Sequence, residues 1–179
     1  MQKNFLFVRH GETDWTLQDI PKGPINLSLN KKGREQAFNA YHIISEQTIN
    51  NPIIFSSELH RAYETAKIFC DHFPSDLKIN QSKGLNERYY GDYRNTITEN
   101  IAEYIPTDIE EIESFKQRVK TTFNDILNKI SDETPIIFSH QGVFECLTEW
   151  LIGKKMKLTN GEVCYFQYNV DAYTITRYH

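Results

Sequence analysis

Short apolar and β-branched runs recur along the chain at Phe5–Val8, Ile53–Phe55 and Ile136–Phe138, and they predict strands. Val163–Tyr168 and Tyr173–Arg177 predict two more, suited to an antiparallel hairpin or a sheet edge. Leu77–Ile79 is a candidate for a further short one. Between these runs the apolar spacing is helical. Leu59, Ala62, Ala66, Phe69 and Phe73 share one face, with Ser57 placed as an N-cap. Ile112, Phe115, Val119, Ile126 and Ile130 mark a second face. Asn30 to about Gln47 reads as a third helix, and Val143 to Ile152 as a fourth that Gly153 ends. Tyr93–Ile109 reads as short helix or loop. Strands that alternate with helices imply an α/β fold, a three-layer α/β/α sandwich whose central sheet is mainly parallel. In such a sheet, ligands bind beyond the carboxyl ends of the strands.

Composition narrows the function classes. With 179 residues, 39% apolar and 25% charged, the chain reads as one soluble domain, 1–179. A net charge of -4 argues against a nucleic-acid-binding surface. It leaves room for a phosphate ligand, which needs only a few local cations. No signal peptide or membrane span is evident. Cys70, Cys146 and Cys164 are far apart and lack metal-site spacing. They read as buried, reduced thiols, which makes the expected location cytoplasmic.

Four segments carry candidate chemistry. In Val8-Arg9-His10-Gly11-Glu12-Thr13, a strand delivers Arg9 and His10 at its carboxyl end and Gly11 permits a tight turn. A histidine there can attack phosphorus, and an arginine can hold phosphate oxygens in pairs; alone, the tripeptide also fits an ordinary loop. Pro135–Gly142 repeats the design with His140, Gln141 and Gly142 opening a helix whose N-terminus suits an anion. The two histidines converge only if their strands are neighbours. In Phe55–Ala66, Arg61 sits in the first helical turn, either reaching toward His10 or exposed and paired with Glu58. His60 has no motif and reads as a surface histidine. In Leu85–Asp92, Glu87 is either a proton donor or the partner of Arg88 in a loop salt bridge.

Together the ordered motifs Arg-His-Gly-Glu-Thr, Ser-Ser-x-Leu-x-Arg-Ala-x-Glu-Thr-Ala, Asn-Glu-Arg-x-Tyr-Gly and Ser-His-x-Gly resemble the histidine phosphatase superfamily, also called phosphoglycerate mutase-like. The resemblance runs from Phe5 to about Gln167. It implies that His10 is the nucleophile, that Arg9, Arg61 and His140 hold the transferring phosphoryl group, and that Glu87 serves as acid and then base. It implies no cofactor, no metal and a small phosphorylated metabolite as partner. Oligomeric state stays open. Two positions depart from the family pattern: Thr16 stands where asparagine is usual, and Lys22 precedes Gly23 where a small or amide residue is usual. With Tyr90 and Gln141, Thr16, Lys22 and Gly23 form the candidate substrate-binding set. Specificity is expected in Gln18–Leu27, Tyr89–Asn95 and the stretch up to Glu113.

Only about forty residues separate Gly91 from the strand at Ile136, too few for a large cap over the pocket. An open pocket favours hydrolysis over transfer to a second substrate. The expected activity is therefore phosphomonoester hydrolysis. Phosphoglycerate mutase activity, which Asn86–Gly91 resembles, and a non-catalytic phosphate-binding role remain as alternatives. A metal site on His10 and His140 lacks further ligands at suitable spacing.

Overall fold

The computed structural model describes residues 3–14, 27–91 and 108–178. Six strands form one sheet: β1 (Phe5–Arg9), β2 (Pro52–Ser57), β3 (Ile79–Ser82), β4 (Thr134–Ser139), β5 (Val163–Asn169) and β6 (Ala172–Tyr178). The helices are α1 (Lys31–Ser45), α2 (His60–His72), α3 (Ile112–Lys129) and α4 (Gln141–Ile152), with a 3-10 turn at Lys83–Leu85. Spatial order in the sheet is β3-β2-β4-β1-β5-β6. The pairs β1–β4, β4–β2 and β2–β3 are parallel, while β5 and β6 run antiparallel to their neighbours.

Strand periodicity divides the core in two. Phe5, Phe7 and Ile137 face one side, where they meet Phe123 of α3 and Phe144 of α4. Leu6, Val8, Ile136 and Phe138 face the other, against Ala40 and Ile44 of α1 and Ala66 and Phe69 of α2. Because β1 is buried on both faces, its apolar run is continuous rather than alternating. The chain moves outward from β1 to β2 to β3, then returns to insert β4 beside β1. Right-handed crossovers place helices on opposite faces when the direction reverses, which gives α1 and α2 one face and α3 and α4 the other. This is the three-layer sandwich expected from the sequence.

Several local expectations shift. The short strand near Leu77 lies at Ile79–Ser82, where Asn80 and Gln81 pair with Phe55 and Ser56. Helix α2 begins at His60 with Leu59 at its N-cap position and no side-chain cap. Ser57 is therefore not the cap; its hydroxyl turns into the site described below. Ile112 is exposed, and Ile130 is buried just beyond the end of α3. Cys146 and Cys164 are buried, but Cys70 is partly exposed, and all three are free thiols. Gly153 ends α4 in the left-handed conformation at φ 72°. Most of Tyr93–Ile109 lies outside the described residues. Among the described residues, no helix is long and apolar enough to cross a membrane.

Candidate active site

The reversal in strand order falls between β1 and β4, and in doubly wound sheets that is where a crevice opens. Arg9 pairs with Ser139 across these strands, and the His10 N–H extends the ladder to the Ser139 carbonyl at 3.0 Å. His10 and His140 thus leave adjacent strand ends, with ring centroids 5.1 Å apart. Both are buried.

The turn after β1 is held by main chain. A Cβ on Gly11 would lie 2.2 Å from the carbonyl oxygen of Gly33, and one on Gly33 would lie 2.0 Å from that of Glu12. Only glycine at both positions lets the first turn of α1 press directly on this turn. Asn30 caps α1 by accepting from Gly33 N–H. It also donates from its side chain to Glu12 at 3.1 Å, and Lys32 donates to the same carboxylate at 3.0 Å. Gly11 N–H donates to Thr65 Oγ1, whose own proton goes to the Arg61 carbonyl at 2.7 Å.

These contacts fix the state of His10. Its Nδ1 lies 2.7 Å from the Gly11 carbonyl, which can only accept, so Nδ1 carries the proton. Arg61 donates from Nε to His10 Nε2 at 3.3 Å, so Nε2 carries the lone pair. Arg61 is 1% exposed rather than a surface partner of Glu58. Burial lowers its pKa to about 10, a shift that Glu87 opposes and Arg9 reinforces, and it stays a cation at neutral pH. Burial also lowers Arg9, against the pull of Glu87, Glu162 and Glu145. One end of Arg9 is tied down, with Nη1 donating to the Leu158 carbonyl and to Gln141 Oε1. Its Nε is buried without a hydrogen-bond partner among the described residues.

His140 is fully buried. Its Nε2 lies 2.8 Å from Ser57 Oγ, whose proton goes to Asn86 Oδ1 at 2.7 Å. His140 Nε2 is therefore the donor in that pair. Burial, with Arg61, His10, Arg9 and Arg118 adding like charge, holds its pKa well below 6.5. The neutral ring keeps a buried lone pair at Nδ1, without a partner among the described residues. Arg9 Nε, a buried donor in a site that also holds the Arg61 guanidinium, suits an anion, and Nδ1 of His140 can join it only by taking up a proton and becoming a donor.

Glu87 reaches the same place by a different route. Its Oε2 accepts from Gly142 N–H at 3.1 Å, at the N-terminus of α4, and its Oε1 accepts from Arg88 N–H at 3.0 Å. A Cβ on Gly142 would lie 2.2 Å from Glu87 Oε1, so this glycine is what admits the carboxylate. No Glu87–Arg88 salt bridge forms: Arg88 donates to the Glu110 carbonyl and lies over the Tyr90 ring. Glu87 also borders a cleft of about 410 Å³ with Leu59, Lys83, Tyr89 and Arg118.

The five expected catalytic residues are thus brought together. Among the expected substrate-binding residues, Tyr90 is half-buried, and burial raises its pKa. Gln141 is engaged within the protein, accepting from Leu158 N–H at 2.9 Å and donating to Glu145 at 2.8 Å. Thr16, Lys22 and Gly23 lie outside the described residues. His60 is on the surface, 3.7 Å from Glu64. Sequence reasoning missed the roles of Thr65, Ser57 and Asn86, although all three stand inside the motifs, and of Arg118 and Glu110, which stand outside them. Among the described residues, no group of three His, Cys, Asp or Glu side chains is gathered to hold a metal ion.

Residues 5–179 match the model of the histidine phosphatase superfamily (branch 1). The chain is 29% identical over 191 residues to phosphoglycerate mutase-like protein 4 of Arabidopsis thaliana, covering 95% of this chain and 82% of that one. It is 28% identical over 161 residues to the adenosylcobalamin/alpha-ribazole phosphatase of Escherichia coli, covering 82% and 77%. Matches to phosphoglycerate mutases of Saccharomyces cerevisiae and Bartonella henselae span about half of this chain and less than half of each mutase. The solved alpha-ribazole phosphatase of Shigella flexneri superposes with a TM-score of 0.80 at 25% identity, covering 97% of this chain and 95% of that one. The strand-end histidines and their arginines therefore stand within a known architecture, and the chain belongs to the histidine phosphatase superfamily.

Proposed function

We propose that this protein hydrolyses the phosphomonoester of a small metabolite through a phosphohistidine on Nε2 of His10. The observation that carries this reading is the pair of hydrogen bonds that puts the proton on Nδ1 and the lone pair on Nε2. Nε2 attacks phosphorus, the N–P bond forms and the bond to the leaving oxygen breaks, with Glu87 giving that oxygen a proton. Water then attacks phosphorus, the N–P bond breaks, and Glu87 takes the water's proton as phosphate departs. Arg9 and Arg61 neutralise charge on the equatorial oxygens, as phosphoryl transfer requires, and His140 joins them as a donor once the bound phosphoryl group draws a proton onto Nδ1.

The test is hydrolysis of p-nitrophenyl phosphate in the presence of chelator, with His10→Ala beside the wild type. Turnover that survives chelator and vanishes in the variant, with an acid-labile phosphoenzyme trapped on the wild type, supports the reading. Turnover retained by the variant removes it. A second reading, phosphoglycerate mutase activity, is favoured by the likeness to the Arabidopsis mutase-like protein. Interconversion of 2- and 3-phosphoglycerate without net phosphate release would establish it instead.

A further inference from the structure

We propose that Arg118 is the positioning residue for the proton donor Glu87, acting through the main chain that carries it. The inference rests on the reading of Glu87 as the acid. Both protein hydrogen bonds described for the Glu87 carboxylate come from backbone amides, Gly142 and Arg88. Its placement therefore depends on the path of the backbone from Lys83 to Tyr89, and little regular structure holds that path. The 3-10 turn is short, and the inner side of the segment is tied by Ser139 Oγ donating to the Leu85 carbonyl at 2.7 Å.

The outer side is tied by one guanidinium. Arg118 Nη1 spans the carbonyls of Lys83 and Gly84, both at 3.1 Å, and Asn86 at 3.0 Å. The Asn86 carbonyl belongs to the peptide unit whose nitrogen is that of Glu87. The other edge of Arg118 holds Glu110, with Nε to Oε1 at 2.8 Å and Nη2 to Oε2 at 2.7 Å. Glu110 closes the bracket beyond Glu87. Its carboxylate accepts from Tyr89 N–H at 3.2 Å, its N–H donates to the Tyr89 carbonyl at 2.9 Å, and its carbonyl accepts from Arg88 Nε at 2.9 Å. One planar fork thus fixes the backbone before Glu87 and, through Glu110, the backbone after it. Lysine has the charge but not the fork.

The segment also reaches the rest of the site. The Asn86 side chain accepts from Ser57 Oγ and from Glu58 N–H, and Ser57 in turn receives His140. Arg118 itself lies on α3, which supplies no candidate catalytic residue. A merely structural ion pair at this place would, when lost, weaken all turnover alike. A positioning pair has a different signature, because a misplaced proton donor matters only when the leaving group needs the proton.

The experiment measures kcat on glycerol phosphate, a poor leaving group, and on 2,4-dinitrophenyl phosphate, a good one. It uses wild type, Glu87→Gln, Arg118→Met and the double variant, with thermal midpoints to show that each is folded. A displacement of about 1 Å costs on the order of a hundredfold. Arg118→Met is expected to lose about that factor on the alkyl ester and to change less than about threefold on the activated one. The double variant is expected to lose little beyond Glu87→Gln. If Arg118→Met does not fold, Arg118→Lys keeps stem and charge and is expected to show the same selectivity. Equal losses on both substrates, or additive losses in the double variant, overturn the positioning role. A wild type that turns over neither ester overturns the phosphatase reading instead, and Glu87→Gln without leaving-group selectivity overturns Glu87 as the acid and the clamp with it.

Discussion

Arg61 and His10 are joined through Arg61 Nε and His10 Nε2, 3.3 Å apart in a buried site. The guanidinium therefore points at the same nitrogen that is proposed to attack phosphorus. In the proposed mechanism it keeps the lone pair oriented before substrate arrives, and it is a cation next to the charge that the transition state spreads over oxygen. Both duties fall to one side chain in a position that 1% exposure seals from water.

Arg61→Ala is therefore expected to lower kcat/KM for p-nitrophenyl phosphate by about 10²–10³, the range for removing one preorganised donor. Arg61→Lys is expected to recover less than a tenth of that loss, because lysine lacks the fork. Steady-state kinetics with both variants check this, and a recovery near wild type by lysine would mean that charge alone is required.

His140 predicts a proton linkage. Its folded pKa lies well below 6.5 because of burial, so the ring is neutral near pH 7 in the ligand-free protein. A phosphoryl oxygen or a vanadate oxygen at Nδ1 stabilises the protonated ring and raises that pKa. Binding should then take up a proton above the ligand-free pKa. Affinity for the dianion should weaken as pH rises through the raised, liganded value. Calorimetry of vanadate or phosphate binding in buffers of different ionisation enthalpy measures the uptake; a buffer-independent heat would contradict it.

Glu162 and Glu110 predict acid sensitivity. Burial pushes both carboxyls up. For Glu162 the hydrogen bonds from Arg177 and Thr159 outweigh it, and for Glu110 those from Arg118 and the Tyr89 amide do, so both end below 4.5. A carboxyl whose folded pKa is depressed adds stability that is full above the unfolded value and is lost as pH falls through the folded value. Unfolding free energy should therefore fall below pH 4.5, and less so in Glu162→Gln. That variant is expected to cost about 2 kcal/mol at pH 7, below the usual range for a broken buried pair because Arg177 is partly exposed. Urea titrations at several pH values test both statements.

The β5–β6 hairpin turns through Val170 and Asp171, at φ 35° and 73°. A two-residue turn with both φ positive favours Asn-Gly, and a β-branched residue there is strained. Val170 is 95% exposed, so its side chain has little packing to lose. Val170→Asn is expected to stabilise the protein by roughly 0.5–1 kcal/mol without affecting turnover. An unchanged or lower midpoint in thermal denaturation would refute the turn assignment.

Much of this was legible in the chain, and for definable reasons. The strands β1, β2 and β4 announce themselves as apolar runs because a parallel strand buried on both faces has no polar side. His10 and His140 could be paired from sequence because each follows such a run directly. The spacing of Ser57 ahead of an apolar helix face fits an N-cap; its hydroxyl does accept from the nearby Leu59 N–H at 3.1 Å, but its other partners, His140 and Asn86, are distant in sequence. Arg118 could not be found at all. On a helix, an arginine beside apolar positions looks like a solvated residue unless the three carbonyls it gathers are already in place. Asn80 and Gln81 hid the true position of β3, since an edge strand needs few apolar residues.

The crossing of Gly11 and Gly33 has a wider consequence. Where side chains fix a reactive group, small substitutions around it can retune its position by fractions of an ångström. Here the turn that carries the proposed nucleophile lies against another stretch of bare backbone, with nothing between them to enlarge or trim. Variation among descendants of this chain should therefore accumulate around the pocket rim and leave the address of His10 unchanged, because the only residue that fits at either side of the crossing is the one with no side chain to vary.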